Sequence, residues 1–127
     1  MSSHKSPSLR RLQKNINYRF HNTQLFTQAL THRSYLHQGK EEGEDNERLE
    51  FLGDSVIELA VSHILLTRFP HITEGGLSKT RAVLVKETTL ASLGRKVGLG
   101  ETLLLGRGEE ETGGREKYSI LAGAIEA

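Results

Sequence analysis

Four carboxylates recur at helical spacing within NERLEFLGDSVIEL, residues 46–59: Glu47, Glu50, Asp54 and Glu58. At 100° per residue they occupy an arc of about 80° on one helix. Like charges four residues apart cost roughly 0.2–0.5 kcal/mol per pair, even in water. Protonation, a nearby Arg or Lys, or a bound cation would relieve this repulsion. Because the chain has no Cys, oxygen ligands favour a hard ion such as Mg²⁺ or Mn²⁺. A solvated acidic stripe is an equally open alternative.

The rest of this helix is apolar around most of its circumference. Opposite the acids it carries a face that we expect to lie in the core, formed by Leu49, Leu52, Val56, Leu59 and Ala60. Phe51 lies beside the acids, with Val61 and Ile64 further along. We therefore expect the acids to lie in a cleft or an interface rather than in open water.

Composition sets the class of protein. The 127 residues are 35% hydrophobic and 26% charged, with a net charge of +1 and a mean hydropathy of −0.45, which is typical of one soluble globular domain. The absence of Cys excludes disulfides, zinc–thiolate sites and cysteine nucleophiles. No stretch approaches 18 consecutive apolar residues and the N-terminus lacks an apolar signal core, so the cytoplasm is the expected location.

Helical spacing dominates the chain, and no useful length of sequence alternates as a strand would. We predict an all-α fold with a disordered tail over residues 1–8 and one domain over 9–127. Caps, glycines and prolines bound the predicted helices, which are 9–16, 20–36 with Asn22 as N-cap, 46–68 ending before Pro70, 77–85, 87–99 with Gly98 as C-cap, and 118 onward. Segments 37–46, 70–76 and 100–117 are predicted loops, the last with a short extended piece at 103–105.

The motif NERLEFLGDS closely resembles the signature of the ribonuclease III endonuclease domain. The resemblance continues through YRFHNTQLFTQALTHRSYLHQ, through RFPHITEGGLSKTRAVLVKETTLASLGRKVGLGETLLLGRGEEETGG and through REKYSILAGAIEA. It covers nearly the whole chain from about residue 9, in the order and spacing of the family. The resemblance implies the helical fold of that domain, truncated in its last helix, without the C-terminal double-stranded-RNA-binding domain.

The resemblance also implies a function, namely RNA processing by a homodimer that hydrolyses phosphodiesters of double-stranded RNA. It implies Mg²⁺ as the ion, with Mn²⁺ as a substitute, and neither an organic cofactor nor a membrane. The family's metal ligands map to Glu50, Asp54 and Glu126, of which Asp54 and Glu126 also carry the catalytic assignment. Glu47 and Glu74 match acids that we give a supporting role.

One residue departs from the family pattern. The helix SILAGAIEA has Gly123 where the family has a metal-binding Asp. We therefore expect weaker Mg²⁺ binding and slower cleavage. The chain also ends at Ala127, so Glu126 is expected on a frayed turn unless packing holds it.

Two alternatives to the endoribonuclease stay open at this stage. Gly123 favours a catalytically inactive dimer that binds RNA or a partner protein. An unrelated helical interaction module is the second alternative. Five basic residues fit phosphate contacts nearly as well as they fit a solubility role: Lys79, Arg81, Lys86, Arg95 and Lys96.

Overall fold

The computed structural model describes residues 6–36 and 43–127. The described residues form eight α-helices, which are α1 (Pro7–Asn15), α2 (Thr23–Ala29), α3 (Arg33–Leu36), α4 (Glu47–Arg68), α5 (Glu74–Val85), α6 (Glu87–Val97), α7 (Arg107–Glu111) and α8 (Tyr118–Glu126). Short 3₁₀ helices cover Gly100–Thr102 and Gly114–Glu116. Within the described ranges the only extended pairing is an isolated parallel bridge between Thr31 and Leu104. The predicted all-α class is therefore confirmed.

The N-terminal boundary differs from the prediction. Helix α1 begins at Pro7, which suits the first helical position because its fixed φ is already helical, and the Ser6 side chain accepts a hydrogen bond from the Leu9 amide. The last two residues of the predicted tail are thus helical, and residues 1–5 lie outside the described residues. So does the stretch 37–42 of the predicted loop.

The predicted helix over 20–36 is interrupted. Asn22 caps α2 as expected, since its side-chain oxygen accepts from the Leu25 amide. The helix then stops at Ala29, and the backbone of Leu30 and His32 bonds instead to Leu104. The spacing of apolar residues favoured a continuous helix, but backbone hydrogen bonds to Leu104 hold this segment in an extended conformation instead.

Helix α4 spans the predicted residues, but its cap works differently. Asn46 occupies the N-cap position with no side-chain cap bond. Its side chain is buried and donates to the carbonyl of Ala29 at 3.0 Å, while its amide donates to Thr31. Asp45 accepts from the Glu47 amide in its place. Asn46 therefore anchors the start of α4 to the end of α2.

Two predicted loops are partly helical. Helix α5 begins three residues earlier than predicted, because Thr73 caps it through the Gly76 amide and the two glycines join its first turn. The predicted loop 100–117 contains α7 and both 3₁₀ helices. Gly98 ends α6 in the left-handed conformation with φ 81°, as its predicted C-cap role requires.

The core lies between α1, α2, α6 and α8. Its buried residues are Leu9, Leu12, Phe26, Leu30, Ala91, Leu99, Leu103, Leu105, Leu121 and Ala124. The largest interface in the domain is between α6 and α8, with α4 and α5 packed to one side. Among the described residues, no helix combines the length and apolar character that a membrane span requires.

The prediction for the apolar face of α4 is wrong for this single chain. Leu52, Val56 and Leu59 are 60%, 56% and 73% exposed, and Leu65 is the only residue of the helix that is buried. Helices α5 and α8 pack against the acidic side of α4, so the face opposite the acids points outward. A helix with a large exposed apolar face is expected to have a partner.

Candidate metal centre

Helices α4 and α8 bring three predicted ligands together. Glu50 and Asp54 lie one turn apart near the start of α4, and Glu126 is the last residue of α8. Glu126 is hydrogen-bonded to Asp54 and feels the charge of Glu50. Glu50 and Asp54 are close together in the sequence, whereas Glu126 lies more than 70 residues further along the chain.

Burial and the neighbouring carboxylates raise the pKa of two of these acids, Glu126 and Glu50. Burial, the hydrogen bond to Asp54 and the charges of Asp54, Glu50 and Glu87 raise the pKa of Glu126 to about 7. Burial and the charges of Glu47 and Asp54 also raise the pKa of Glu50. Carboxylates held together in partial burial favour a shared proton or a bound cation. The repulsion expected from the sequence is therefore present.

Two glycines lie where the helices cross. A Cβ atom built on Gly123 would lie 2.6 Å from Oε2 of Glu50, so the Glu50 carboxylate occupies the space next to this residue. A Cβ atom built on Gly53 would overlap the backbone carbonyl of Glu126. Glu126 is thus held by packing against α4, and the fraying expected from its position is absent. Gly53 is a residue that the sequence analysis did not single out.

The two supporting acids lie in different places. Glu47 is exposed and pairs with Arg33 at 3.6 Å, beside Glu50. Glu74 begins α5 and accepts a hydrogen bond from Ser78, in a cleft that Ser62 also lines. Ser62 lies twelve residues after Glu50, so the cleft that contains Glu74 is separated from the acid cluster by about 18 Å along α4. Within one chain, Glu74 does not join the acid cluster.

A cleft of about 140 Å³ adjoins the acids on the side of α3 and α8. Its lining residues are His32, Arg33, Asn46, Glu47, Glu50, Ser119, Ile120 and Gly123. His32 has a structural role, because its Nδ1 is hydrogen-bonded to the Ser34 hydroxyl at 2.8 Å and its amide donates to the carbonyl of Leu104. Burial lowers the pKa of His32, which favours its neutral form. The sequence analysis did not single out Ser119, and the only feature that could have indicated it is its position one helical turn before Gly123.

The donor set fits a hard divalent ion in chemistry and in charge. Glu50, Asp54 and Glu126 offer only oxygen atoms, which Mg²⁺ and Mn²⁺ prefer. Among the described side chains, however, no three His, Cys, Asp or Glu form a group that could hold a metal ion as they are placed in this structure. The carboxyl group of Glu126, whose pKa is raised to about 7, would have to lose its proton, and the side chains would have to rotate, before three carboxylates could surround an ion.

Comparison with known proteins gives a consistent family match. The family model described as Ribonuclease-III-like matches residues 22–127. Ribonuclease 3 of Syntrophobacter fumaroxidans is 51% identical over 123 residues, which cover 96% of this chain and 51% of that protein. Ribonuclease 3 of Geobacter metallireducens is 53% identical over 118 residues, covering 91% of this chain and 48% of that protein. The chain spans about half the length of these relatives.

Solved structures agree with the sequence comparison. The crystal structure of the nuclease domain of Campylobacter jejuni ribonuclease III superposes with a TM-score of 0.85 at 40% identity, over 95% of this chain and 79% of that chain. A second structure of that nuclease domain, described as showing flexibility in the region involved in dimer formation, gives a TM-score of 0.83 at 41% identity over 91% and 78%.

Proposed function

The chain belongs to the ribonuclease III family, and from this premise we propose that it is a homodimeric, Mg²⁺-dependent endoribonuclease domain that cleaves double-stranded RNA. The observation that carries the proposal is the meeting of Glu50 and Asp54 on α4 with Glu126 on α8. These three partly buried acids form no ion pair with a Lys or Arg in the part of the chain that the structure describes, which suits a divalent ion. The similarity to a nuclease domain favours phosphodiester hydrolysis as the reaction that this ion would assist.

Each acid has a part in the proposed hydrolysis. When bound, Mg²⁺ lowers the pKa of a water molecule and neutralises charge on the scissile phosphate. Asp54 and Glu126 would hold the ion through their carboxylate oxygens once Glu126, whose pKa is raised to about 7, has lost its proton. Glu50 would add a third carboxylate from the preceding turn of α4. Glu47 lies beside Glu50 and its charge contributes to the raised pKa of Glu50, while its pairing with Arg33 holds the Glu47 side chain and partly offsets that charge.

The proposed activity is attenuated at Gly123. A family member with Asp here would offer a fourth carboxylate from α8, whereas this chain offers no side chain. One fewer ligand and one fewer negative charge weaken the binding of a divalent ion. We therefore infer measurable but slow cleavage.

The exposed face of α4 supports the homodimer. Leu52, Leu59 and Leu66 follow one another at seven-residue intervals and are 60%, 73% and 64% exposed. This spacing forms a continuous stripe that a second α4 can cover. An isologous antiparallel pairing about Leu59 would bury all three residues on both copies, at roughly 1.5–3 kcal/mol for each fully buried Leu.

The same pairing gives Glu74 its supporting role. In an antiparallel pair, the end of one α4 lies beside the start of the other. Glu74 and its cleft adjoin the end of α4, so they would approach the acids of the second copy. Phe51, which is 80% exposed at the start of α4, would approach that cleft, whose wall includes Leu66 and Leu77.

The test is cleavage of a long RNA duplex in millimolar Mg²⁺. We expect Asp54→Asn to abolish cleavage, because it removes a charge from the centre of the site. Glu58→Gln is the matched control, since Glu58 lies one turn further along α4 without a proposed role, and we expect it to cleave as the unmodified chain does. Undiminished cleavage by Asp54→Asn would assign the activity to another site.

A second candidate is a dimer that binds RNA or a partner without cutting it. Gly123 is the observation that favours it, because the site has lost a carboxylate of the family pattern. Retention of the duplex on the unmodified chain, with no cleavage in Mg²⁺ or Mn²⁺, would support this candidate and contradict the first.

A further inference from the structure

One wall of the cleft of about 140 Å³ beside the acids is a residue without a side chain. Gly123 is buried in the middle of α8 and lines the cleft together with Glu50. The family pattern has an Asp here, so this chain lacks the carboxylate that such an Asp would place beside the acids. The Glu50 carboxylate borders the same space, with Oε2 2.6 Å from the point where a Cβ atom of residue 123 would lie.

The volume of the cleft admits only a small ligand. Typical ligand pockets have about 300–1,000 Å³, whereas this cleft has about 140 Å³. That volume corresponds to about four or five water molecules at roughly 30 Å³ each. A ligand of roughly three or four non-hydrogen atoms therefore fits, whereas a nucleotide is too large.

The polar groups of the cleft decide which small ligand it suits. Ser119 and Arg33 bring a hydroxyl and a guanidinium group, both of which donate hydrogen bonds to a carboxylate. Glu47 and Glu50 line the same cleft, and Arg33 pairs with Glu47 at 3.6 Å. The two negative charges repel an anion unless a cation binds as well. An anionic ligand is therefore expected to bind together with a divalent ion and not before it.

We propose that the cleft at Gly123 is a binding site for a small monocarboxylate such as formate or acetate, which takes the place of the missing Asp side chain beside the acids. The inference rests on the proposed metal-dependent function and adds a ligand to it. A monocarboxylate brings the carboxylate group and the single negative charge of an Asp side chain. Because it is not tethered to α8, it loses translational freedom on binding, and we expect it to act at roughly 10–100 mM.

The effect of formate should depend on residue 123. In Gly123→Asp the tethered carboxylate occupies the space, so formate has nothing to add. In Gly123→Asn an amide of nearly the same shape fills the space without bringing a charge, so Mn²⁺ binding stays weak and formate cannot enter. Gly108→Ala is the control, because Gly108 lies in α7 and an added Cβ atom would meet nothing within 4 Å.

The experiment measures Mn²⁺ affinity by electron paramagnetic resonance above pH 7, with and without sodium formate. Sodium chloride replaces formate at equal ionic strength in the reference samples, because salt screens exposed charges. Thermal melting in parallel establishes that each variant is folded. Formate in solution also binds Mn²⁺ weakly, which lowers the apparent affinity in every sample and cannot produce a rise.

We expect formate at about 0.1 M to raise the Mn²⁺ affinity of the unmodified chain and of Gly108→Ala by at least about threefold. A threefold rise is the linkage expected when a ligand is present at about twice its dissociation constant. Neither Gly123→Asp nor Gly123→Asn should show a rise. Acetate should act as formate does, whereas trimethylacetate, which carries the same charge on a bulkier group, should not. Equal effects of formate and trimethylacetate would place the binding outside the cleft and overturn the inference.

The outcomes separate the inference from the function on which it rests. A formate-dependent rise in the unmodified chain that is absent in Gly123→Asp supports the inference. Mn²⁺ binding that formate does not strengthen in the unmodified chain, or strengthens equally in Gly123→Asp, overturns the inference while the proposed function stands. Absence of Mn²⁺ binding in both proteins, with and without formate, contradicts the proposed function and the inference with it.

Discussion

Replacement of Gly123 by Asp tests the ligand assignment most informatively. The new side chain begins 2.6 Å from Oε2 of Glu50, below the 3.4–4 Å of ordinary contact. The atom in the way is at the far end of a flexible side chain. The Glu50 carboxylate can therefore move by about 1 Å through rotation of its side chain, without a change in the backbone. The new carboxylate then lies on the same side of α8 as Glu126, three residues away.

The expected gain is at least tenfold in the rate of duplex cleavage at subsaturating Mg²⁺. A tenfold gain corresponds to about 1.4 kcal/mol. A tenfold gain is modest for the addition of a direct carboxylate ligand. Replacing residues that only hydrogen-bond to a metal ligand already changes metal affinity by about 10–100-fold. Without metal the substitution adds a fourth acid to a group in which the pKa of Glu126 is already about 7. We therefore expect a lower melting temperature in EDTA and a larger rise on addition of Mg²⁺.

The assay is single-turnover cleavage of a long RNA duplex across a Mg²⁺ titration, with Gly123→Asn as the matched control. Asn has nearly the same shape as Asp and meets the same Glu50 carboxylate, but it brings no charge. Equal rates for the unmodified chain and for Gly123→Asp would refute the assignment of this position to the metal site. Equal acceleration by Asn would attribute the gain to helix propensity or packing.

Three other predictions concern pH, assembly and folding. The pKa of Glu126 in the folded state lies above its ordinary value of 4.5, so between these two values the folded state binds the proton more tightly than the unfolded state does. The free energy of unfolding in EDTA should therefore fall as pH rises from about 4.5 to about 7, by on the order of 1–3 kcal/mol. Glu126→Gln should flatten this urea-unfolding profile, and an unchanged slope would contradict the raised pKa of Glu126 in the folded state. Leu59→Glu should shift the chain from dimer to monomer in gel filtration, whereas Leu25→Glu, on α2, should not; a dimer in both would exclude the α4 face. Asn46→Ala leaves the carbonyl of Ala29 unpaired and should cost about 1–3 kcal/mol in urea unfolding, and a loss below about 0.5 kcal/mol would show that α4 is anchored elsewhere.

Sequence reasoning predicted what local chemistry determines. Asn22, Pro70 and Gly98 bound helices as expected, because capping and the restricted backbone of proline act within a few residues. The pattern also predicted the helix that carries Glu50 and Asp54. The start of α5 was missed because the cap at Thr73 outweighs the glycines that follow it.

The rest depended on contacts between distant residues. The break after Ala29 arises from pairing with Leu104, and the Asn46 side chain serves α2 rather than its own helix. The apolar face of α4 was assigned to the core of one chain, whereas that face is exposed. Periodicity identifies an apolar face but not the chain that covers it. The overlap at Gly53 likewise depends on where α8 crosses α4.

The central claim is that Glu50, Asp54 and Glu126 together hold a divalent ion. Crystals of the chain soaked in millimolar MnCl₂ above pH 7, where Glu126 has lost its proton, test it through anomalous diffraction from manganese. We predict one anomalous peak within about 2.5 Å of carboxylate oxygens from both α4 and α8, strengthened in Gly123→Asp. Absence of a peak there in both proteins, with the site open to solvent, would contradict the account.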